Sequence, residues 1–353
     1  MVLCIASHHS GLIDCLSPDG TDVFSKRMMK SKGQTHSEDV EKHVEDQIRK
    51  QVEKFLASST LENELKLCLE KIKVETPSFE TVQFMLGFLA RFLFSTLIDA
   101  DRLDSAERNP LSKPEWQPLI ALLENTLTGF TVRNRIDEIR AEISTSCLQF
   151  AVREKGLFQL TVPTGGGKTL ASLRFALHHA AKHKMDRIIY VVPYISIIDQ
   201  NARVARSVFA PLEVNGRQVV LEHHSNLTPE QDTSESKLLA ENWDAPIIYT
   251  TAVQLLETLF AAGTRGVRRL HQLANTVIIF DEIQTIPIRT VHLFNNAINF
   301  LVSQCGSTVV FCTATQNQRQ CAAASGPVSG RTGCCANNGN CHCHDSRQGE
   351  KRP

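Results

Sequence analysis

From about residue 133 the chain alternates short β-branched apolar runs with stretches of helical periodicity. Phe158–Val162, Arg187–Val192, Val219–Glu222, Pro246–Thr250, Thr276–Phe280 and Thr308–Cys312 each read as a strand. Most are separated by helical stretches, of which Leu170–Ala181 is one, and Ile136–Val152 precedes the first strand as another. The runs are apolar throughout rather than alternating, which suits a parallel sheet covered on both faces. The pattern predicts a doubly wound α/β domain over residues 131–316 with a mostly parallel sheet. Ligands of such domains collect at the carboxyl ends of the strands.

Residues 1–130 carry a different pattern and predict a mainly helical domain. Val40, Val44, Ile48, Val52 and Phe55 recur at three- and four-residue steps among charges, the stripe of one amphipathic helix. Leu61–Ile72 reads as a second helix. Phe79–Leu103 is apolar nearly all round and is expected at the centre of this domain's core. Its most apolar part, Gln83–Ile98, holds Arg91, a charge costly in lipid, so a buried helix is expected and no membrane partner. The breaks at Asn109-Pro110 and Lys113-Pro114 mark a linker. Met1–Ala6 has no basic flank and too short an apolar run for a signal peptide. The last stretch, 317–353, has no Ile, Leu, Met, Phe, Trp or Tyr and is expected to be a disordered tail.

Formal net charge is zero, so nucleic acid could be held only by local grooves, not by a global field. Of the 11 cysteines, those before residue 313 are scattered, as in a reduced cytoplasmic protein. Cys321, Cys334, Cys335, Cys341 and Cys343 crowd the tail. Cys341-His342-Cys343-His344 offers zinc donors, but without a standard finger spacing, and translation out of frame is the competing account.

The strongest chemical signal is Val162-Pro163-Thr164-Gly165-Gly166-Gly167-Lys168-Thr169, between a strand and a helix. Backbone N–H groups approach phosphate oxygens closely where side chains are absent, and the helix N-terminus adds free donors. Thr164, Gly165, Gly166, Gly167, Lys168 and Thr169 are the candidate ATP ligands. Lys168 would reach the β- and γ-phosphates, and the Thr169 hydroxyl would hold Mg²⁺. A nucleotide-free glycine turn is the plainer alternative. A second strand ends in Asp281-Glu282-Ile283-Gln284. There Asp281 would hold the metal and Glu282 would orient or deprotonate water; a helix N-cap is the alternative for such an Asp. Thr313-Ala314-Thr315 closes a third strand with hydroxyls.

Together, Pro163–Thr169, Asp281–Gln284 and Thr313–Thr315 resemble motifs I, II and III of superfamily two helicases, and so imply a RecA-like domain. Val192–Gln200 looks like motif Ia and Thr250–Gln254 like the later strand-binding motif. The resemblance implies that Pro193, Gln200, Thr250, Thr251, Thr313 and Thr315 contact single-stranded DNA. His8-His9-Ser10-Gly11-Leu12 and Phe94–Asp101 resemble later motifs of an HD-type metal phosphohydrolase domain. That implies a divalent transition metal on His8, His9 and Asp101, with Asp99 in place of Asp101 if the motif slips by two. A surface histidine pair is the alternative. The order of these parts resembles the helicase–nuclease of type I CRISPR systems, over about residues 5–316. The resemblance implies an ATP-dependent, single-stranded-DNA-translocating helicase, a DNA nuclease and an RNA-guided surveillance complex as partner. That family's HD domain begins earlier, and the family continues into a second RecA-like domain with arginine fingers. The chain is therefore expected to be a fragment truncated at both ends. Two alternatives are a non-catalytic nucleotide-binding remnant and a DEAD-like RNA helicase relative with an unrelated helical extension.

Overall fold

The computed structural model describes residues 2–8, 10–13, 15, 17, 19–75, 78–107, 113–163, 165–213, 218–224, 240–261, 263–313 and 333–335. The chain divides into two compact units, 1–98 with 262–264, and 99–261 with 265–353.

The first unit is helical. It comprises α1 (Val2–Ser7), α2 (Val23–Met28), α3 (Lys32–Thr35), α4 (Ser37–His43), α5 (Asp46–Ala57), α6 (Ser59–Glu75) and most of α7 (Phe79–Ser105). The single amphipathic helix expected around Val40–Phe55 is two helices. Val44 and Glu45 are extended, with ψ of 126° and 139°, and end the helical hydrogen bonding between them. The stripe also faces outward: Val40, Ile48, Val52 and Phe55 are all at least half exposed. The expectation of a helix buried all round is corrected for α7 as well. Met85, Phe88, Phe94 and Ile98 are buried, whereas Phe79 and Leu86 are exposed. The helix is long and apolar enough to cross a membrane by length and composition, a test that core helices also pass. Burial pulls the pKa of Arg91 down.

The second unit holds the sheet. Strands β1 (Leu157–Thr161), β2 (Arg187–Val192), β3 (Val220–His223), β4 (Ile247–Thr251), β5 (Thr276–Asp281), β6 (Thr308–Thr313) and β7 (Gly333–Cys335) run in the order β3-β4-β2-β5-β6-β1-β7. Every pair is parallel. The six expected strands are present within a residue at most ends. The edge strand β7 lies in the tail, and the rest of that tail is outside the described residues, as is Asn109-Pro110.

Alternation within the strands feeds two cores. On one face Ile188, Tyr190, Val192, Ile247, Tyr249, Val277 and Ile279 pack with α8 (Trp116–Thr128), α9 (Arg135–Phe150), α10 (Lys168–His183) and α11 (Ile195–Phe209). On the other, Phe280 meets Phe294 of the helix Val291–Ser303 edge-on at 5.2 Å. Helix α8, expected within the N-terminal domain, packs here. Its Trp116, Leu119, Ile120 and Leu123 are buried, and the Trp116 indole donates to the Met185 carbonyl at 2.9 Å. This is a RecA-like α/β domain.

Candidate nucleotide-binding site

Strand β1 delivers the chain into the glycine loop, and α10 carries it away. Gly165 and Gly167 have φ of +81° and +77°, where a side chain is strained. Gly166 is constrained by space instead. A Cβ on it would stand 2.6 Å from Val162 Cγ1 and 3.0 Å from the Pro163 carbonyl, which accepts the Gly166 N–H at 2.9 Å. From α9, Arg140 Nε donates to the Gly165 carbonyl at 2.9 Å and steadies the outer side of the loop. Helix α10 begins at Lys168, and no side chain caps its N-terminus, so its first N–H groups are left for an anion. Thr164 lies outside the described residues.

The two acidic residues at the end of β5 meet this loop. Lys168 Nζ is 2.5 Å from Asp281 Oδ1 and 2.8 Å from Glu282 Oε1, all three side chains being mostly buried. Burial pulls the Lys168 pKa down, but the two carboxylates outweigh it and hold it above its usual value. Burial pushes Glu282 up, while Lys168 and Gln284, the latter donating at 2.5 Å, bring it below the usual carboxylate range. Glu282 sits at φ +52°, a left-handed conformation rare for a residue with a Cβ. Its N–H donates to the Cys312 carbonyl at 3.0 Å, which fixes this kink to β6. A non-glycine residue held there is strained backbone.

The donors fit a hard divalent cation. Asp281 Oδ1 is buried and paired with Lys168 by charge, yet it accepts no aligned hydrogen bond. Thr169 Oγ1 donates to Asn201 Oδ1 on α11 at 3.1 Å. A carboxylate and a hydroxyl oxygen beside a phosphate cradle are the ligands Mg²⁺ takes. Beside the loop lies a cavity of about 450 Å³, whose walls include Phe130, Val132, Ala141, Arg140, Gly165 and Gly167.

The residues expected to meet nucleic acid lie at strand ends or just beyond. Pro193 is half-buried and Gln200 is exposed on α11. Thr250 is fully buried, and its hydroxyl donates to the His223 carbonyl at 3.0 Å. The Thr251 hydroxyl caps the helix Ala252–Phe260 by accepting from the Gln254 N–H at 3.2 Å. Thr313 is buried, and its hydroxyl has no hydrogen-bond partner among the described residues. Thr315 lies outside them.

The expected metal residues are dispersed in their commitments. His8 Nδ1 is 2.6 Å from the Ile5 carbonyl of its own helix turn, Asp101 is exposed, and His9 is outside the described residues. Among the described residues neither His8 nor Asp101 joins a group of three metal donors. Asp99 is buried against Arg268 Nε at 2.7 Å and His271 Nε2 at 3.4 Å. Burial raises its pKa, but these two partners bring it below the usual carboxylate range.

Sequence reasoning missed Asn201 and Arg140. Asn201 adjoins Gln200 in the motif Ia stretch, which was the one available signal; Arg140 had none.

The DEAD/DEAH box helicase family model matches residues 141–324, more than half of the chain. The CRISPR-associated nuclease/helicase Cas3 of Haloferax volcanii is 28% identical over 180 residues, 44% of this chain and 19% of that protein. The chain thus spans about a fifth of that relative's length. The crystal structure of T. fusca Cas3 with AMPPNP superposes at a TM-score of 0.50 with 20% identity, over 63% of this chain and 25% of that one, a similarity of fold. With the glycine loop, the Asp-Glu strand end and the parallel sheet in one unit, the chain belongs to the DEAD/DEAH box helicase family.

Proposed function

We propose that the second unit binds Mg-ATP at the Gly165–Thr169 loop and is the first RecA-like half of an ATP-dependent helicase that moves along single-stranded DNA. The observation that carries this reading is Lys168, held between Asp281 and Glu282 at the mouth of the glycine cradle. In that position the ammonium neutralises the two carboxylates that a nucleotide-bound cation would otherwise meet. With nucleotide bound, Lys168 would serve the phosphates, and Asp281 would hold Mg²⁺ together with the Thr169 hydroxyl that Asn201 orients. The ion supplies charge neutralisation on the phosphate oxygens. Glu282, released from Lys168, orients a water and takes up its proton, while Gln284 holds the other carboxylate oxygen. The apolar cavity bordered by Phe130 and Arg140 receives the nucleoside.

Pro193, Gln200, Thr251 and Thr313, near the ends of neighbouring strands, suit contacts to a phosphate backbone rather than to base edges. Thr250 serves the strand ends from below through its bond to His223. The similarity to Cas3 supports a wider reading: a cytoplasmic helicase of CRISPR defence, working with an RNA-guided surveillance complex and a metal nuclease. Within that reading His8, His9 and Asp101 are the nuclease donors.

The test is titration of a fluorescent ATP analogue, with Mg²⁺, into the wild type and Lys168→Ala. Binding should be lost in the variant, which has no mobile cation for the phosphates. Equal binding by both would overturn the site.

A further inference from the structure

A second cluster of charged groups lies on the same unit, away from the glycine loop. Asp199 of α11, Glu222 of β3 and His224, one residue beyond β3, each bring one donor atom to within 4.8 Å of the others. Glu222 and His224 are almost completely buried, their side chains 4% and 2% exposed, and Asp199 is half-buried. His224 Nε2 stands 3.7 Å from Glu222 Oε2. A tetrahedral ion with bonds of about 2.1 Å keeps its donors about 3.4 Å apart, so this pair is already near coordination spacing. Asp199, on the open side, needs a shift of about an ångström, which a half-buried side chain can make by rotation.

A bare acidic cluster would carry nothing, but here a buried donor points into the gap. Glu222 Oε1 is paired with Arg206, one helical face along from Asp199, and this meets half of the carboxylate's needs. Its Oε2 is buried without a hydrogen-bond partner among the described residues. Leaving such an oxygen unmatched costs about 1–3 kcal/mol, more for a charged group. Tyr249, opposite Glu222 in the β3–β4 register, buries a hydroxyl that has no hydrogen-bond partner among the described residues.

We propose that Asp199, Glu222 and His224 form a structural site for a divalent transition metal, with zinc the best match. One imidazole and two carboxylates are borderline-hard donors, suited to Zn²⁺ or Mn²⁺ rather than to copper(I). Three protein ligands would leave a fourth position for a water. Arg206 balances part of the charge. The ion would tie α11 to the edge strand β3. Two residues along α11, Asn201 holds the Thr169 hydroxyl of the glycine loop. The metal therefore braces the helix that supports the magnesium ligand.

The experiment uses Co²⁺ as a spectroscopic probe on the full chain, in saturating Mg²⁺, followed by displacement with Zn²⁺. The wild type should bind an equivalent that Asp199→Asn and Glu222→Gln remove, apart from any held by His8, His9 and Asp101. Each variant should weaken binding by more than the roughly 10–100-fold lost with an outer-shell partner. Asp199→Asn is the decisive variant, since a half-buried surface carboxylate can be neutralised without disturbing the core. Circular dichroism and binding of the ATP analogue confirm that it is folded. No bound equivalent in the wild type, or wild-type cobalt affinity in both variants, overturns the site. So does a spectrum dominated by thiolate-to-cobalt charge transfer, which would put the metal on cysteines.

Discussion

Alanine at each of the three glycines of the phosphate loop should give two different kinds of result, although the residues are adjacent. At Gly166 the backbone is ordinary and the obstacle is space. The added Cβ meets Val162 Cγ1 at 2.6 Å and the Pro163 carbonyl at 3.0 Å, with Ile143 Cδ1 at 3.6 Å behind. Carbon atoms rest at about 3.5–4.0 Å, so the turn must open by about 1 Å. Val162 is 1% exposed and cannot swing clear. Overpacking of this kind costs about 1–3 kcal/mol, less the ~0.4–1 kcal/mol that alanine gains by restricting the unfolded chain. The Gly166 N–H to Pro163 bond lengthens with it, and the cradle loses its shape. At Gly165 nothing lies within 4 Å, and the cost is conformational, at φ +81° about 1–2 kcal/mol, reduced by the same unfolded-state gain. At Gly167 the neighbour is the flexible Arg140 side chain at 3.3 Å, which can move aside, so the conformational cost dominates there too. Urea denaturation gives the stability of each variant, and titration of a fluorescent ATP analogue gives the affinity. Gly166→Ala should lose about 1–2 kcal/mol of stability and more than tenfold in affinity. Gly165→Ala should lose less stability, part of it restored in Gly165→Asn, which tolerates the left-handed region. A Gly166→Ala protein matching the wild type in both measurements would refute the steric account.

Asn201→Ala should raise the Kd for Mg-nucleotide several-fold while leaving magnesium-free nucleotide unaffected, because it frees the Thr169 hydroxyl; isothermal titration with and without Mg²⁺ checks this. His179 is buried, with Nδ1 2.8 Å from the Ala151 carbonyl and Nε2 2.8 Å from Thr308 Oγ1. Burial pushes its pKa from 6.5 down to about 4. A group whose folded pKa is depressed gives its full stability above the unfolded value. About 3 kcal/mol at most should therefore be lost as pH falls from 6.5 to about 4. Urea midpoints across that range should flatten in His179→Gln; an unchanged slope would show that other groups drive it.

The strands of the second unit were legible because β2, β4, β5 and β6 are buried nearly end to end, and only apolar β-branched runs can fill such positions. The glycine loop and Asp281-Glu282 were legible for the opposite reason. Neither makes sense as packing at a strand end, so chemistry was the better account. Asn201 was hidden because its role depends on α11 lying beside α10, a tertiary fact with no local trace. Thr250 shows the same limit, since the sequence presents a hydroxyl at a strand end but not that His223 already receives it. In the helical unit, periodicity correctly marked an apolar stripe and misjudged its use. Val40, Ile48, Val52 and Phe55 keep helical spacing while facing out, and the break at Val44–Glu45 has no glycine or proline to announce it.

The loop that would receive phosphate and the strand that ends at Thr313 share one peptide contact, the Val162 N–H donating to the Thr313 carbonyl at 3.2 Å. It is the last rung of the β1–β6 ladder among the described residues, and it ties the entry to the glycine loop to the end of β6. A ladder closed at one end behaves as a hinge pin, so the glycine loop cannot swing outward without loading that rung. The amide of Val162 should consequently act as a strain gauge for the domain. Its hydrogen exchange reports the free energy of opening that pair alone, well below the cost of unfolding the sheet. Whatever fills the glycine loop should change that rate, and so should whatever grips the Thr313 segment from the other side. The two occupants would then sense each other through a single backbone bond, without any movement of the central strands.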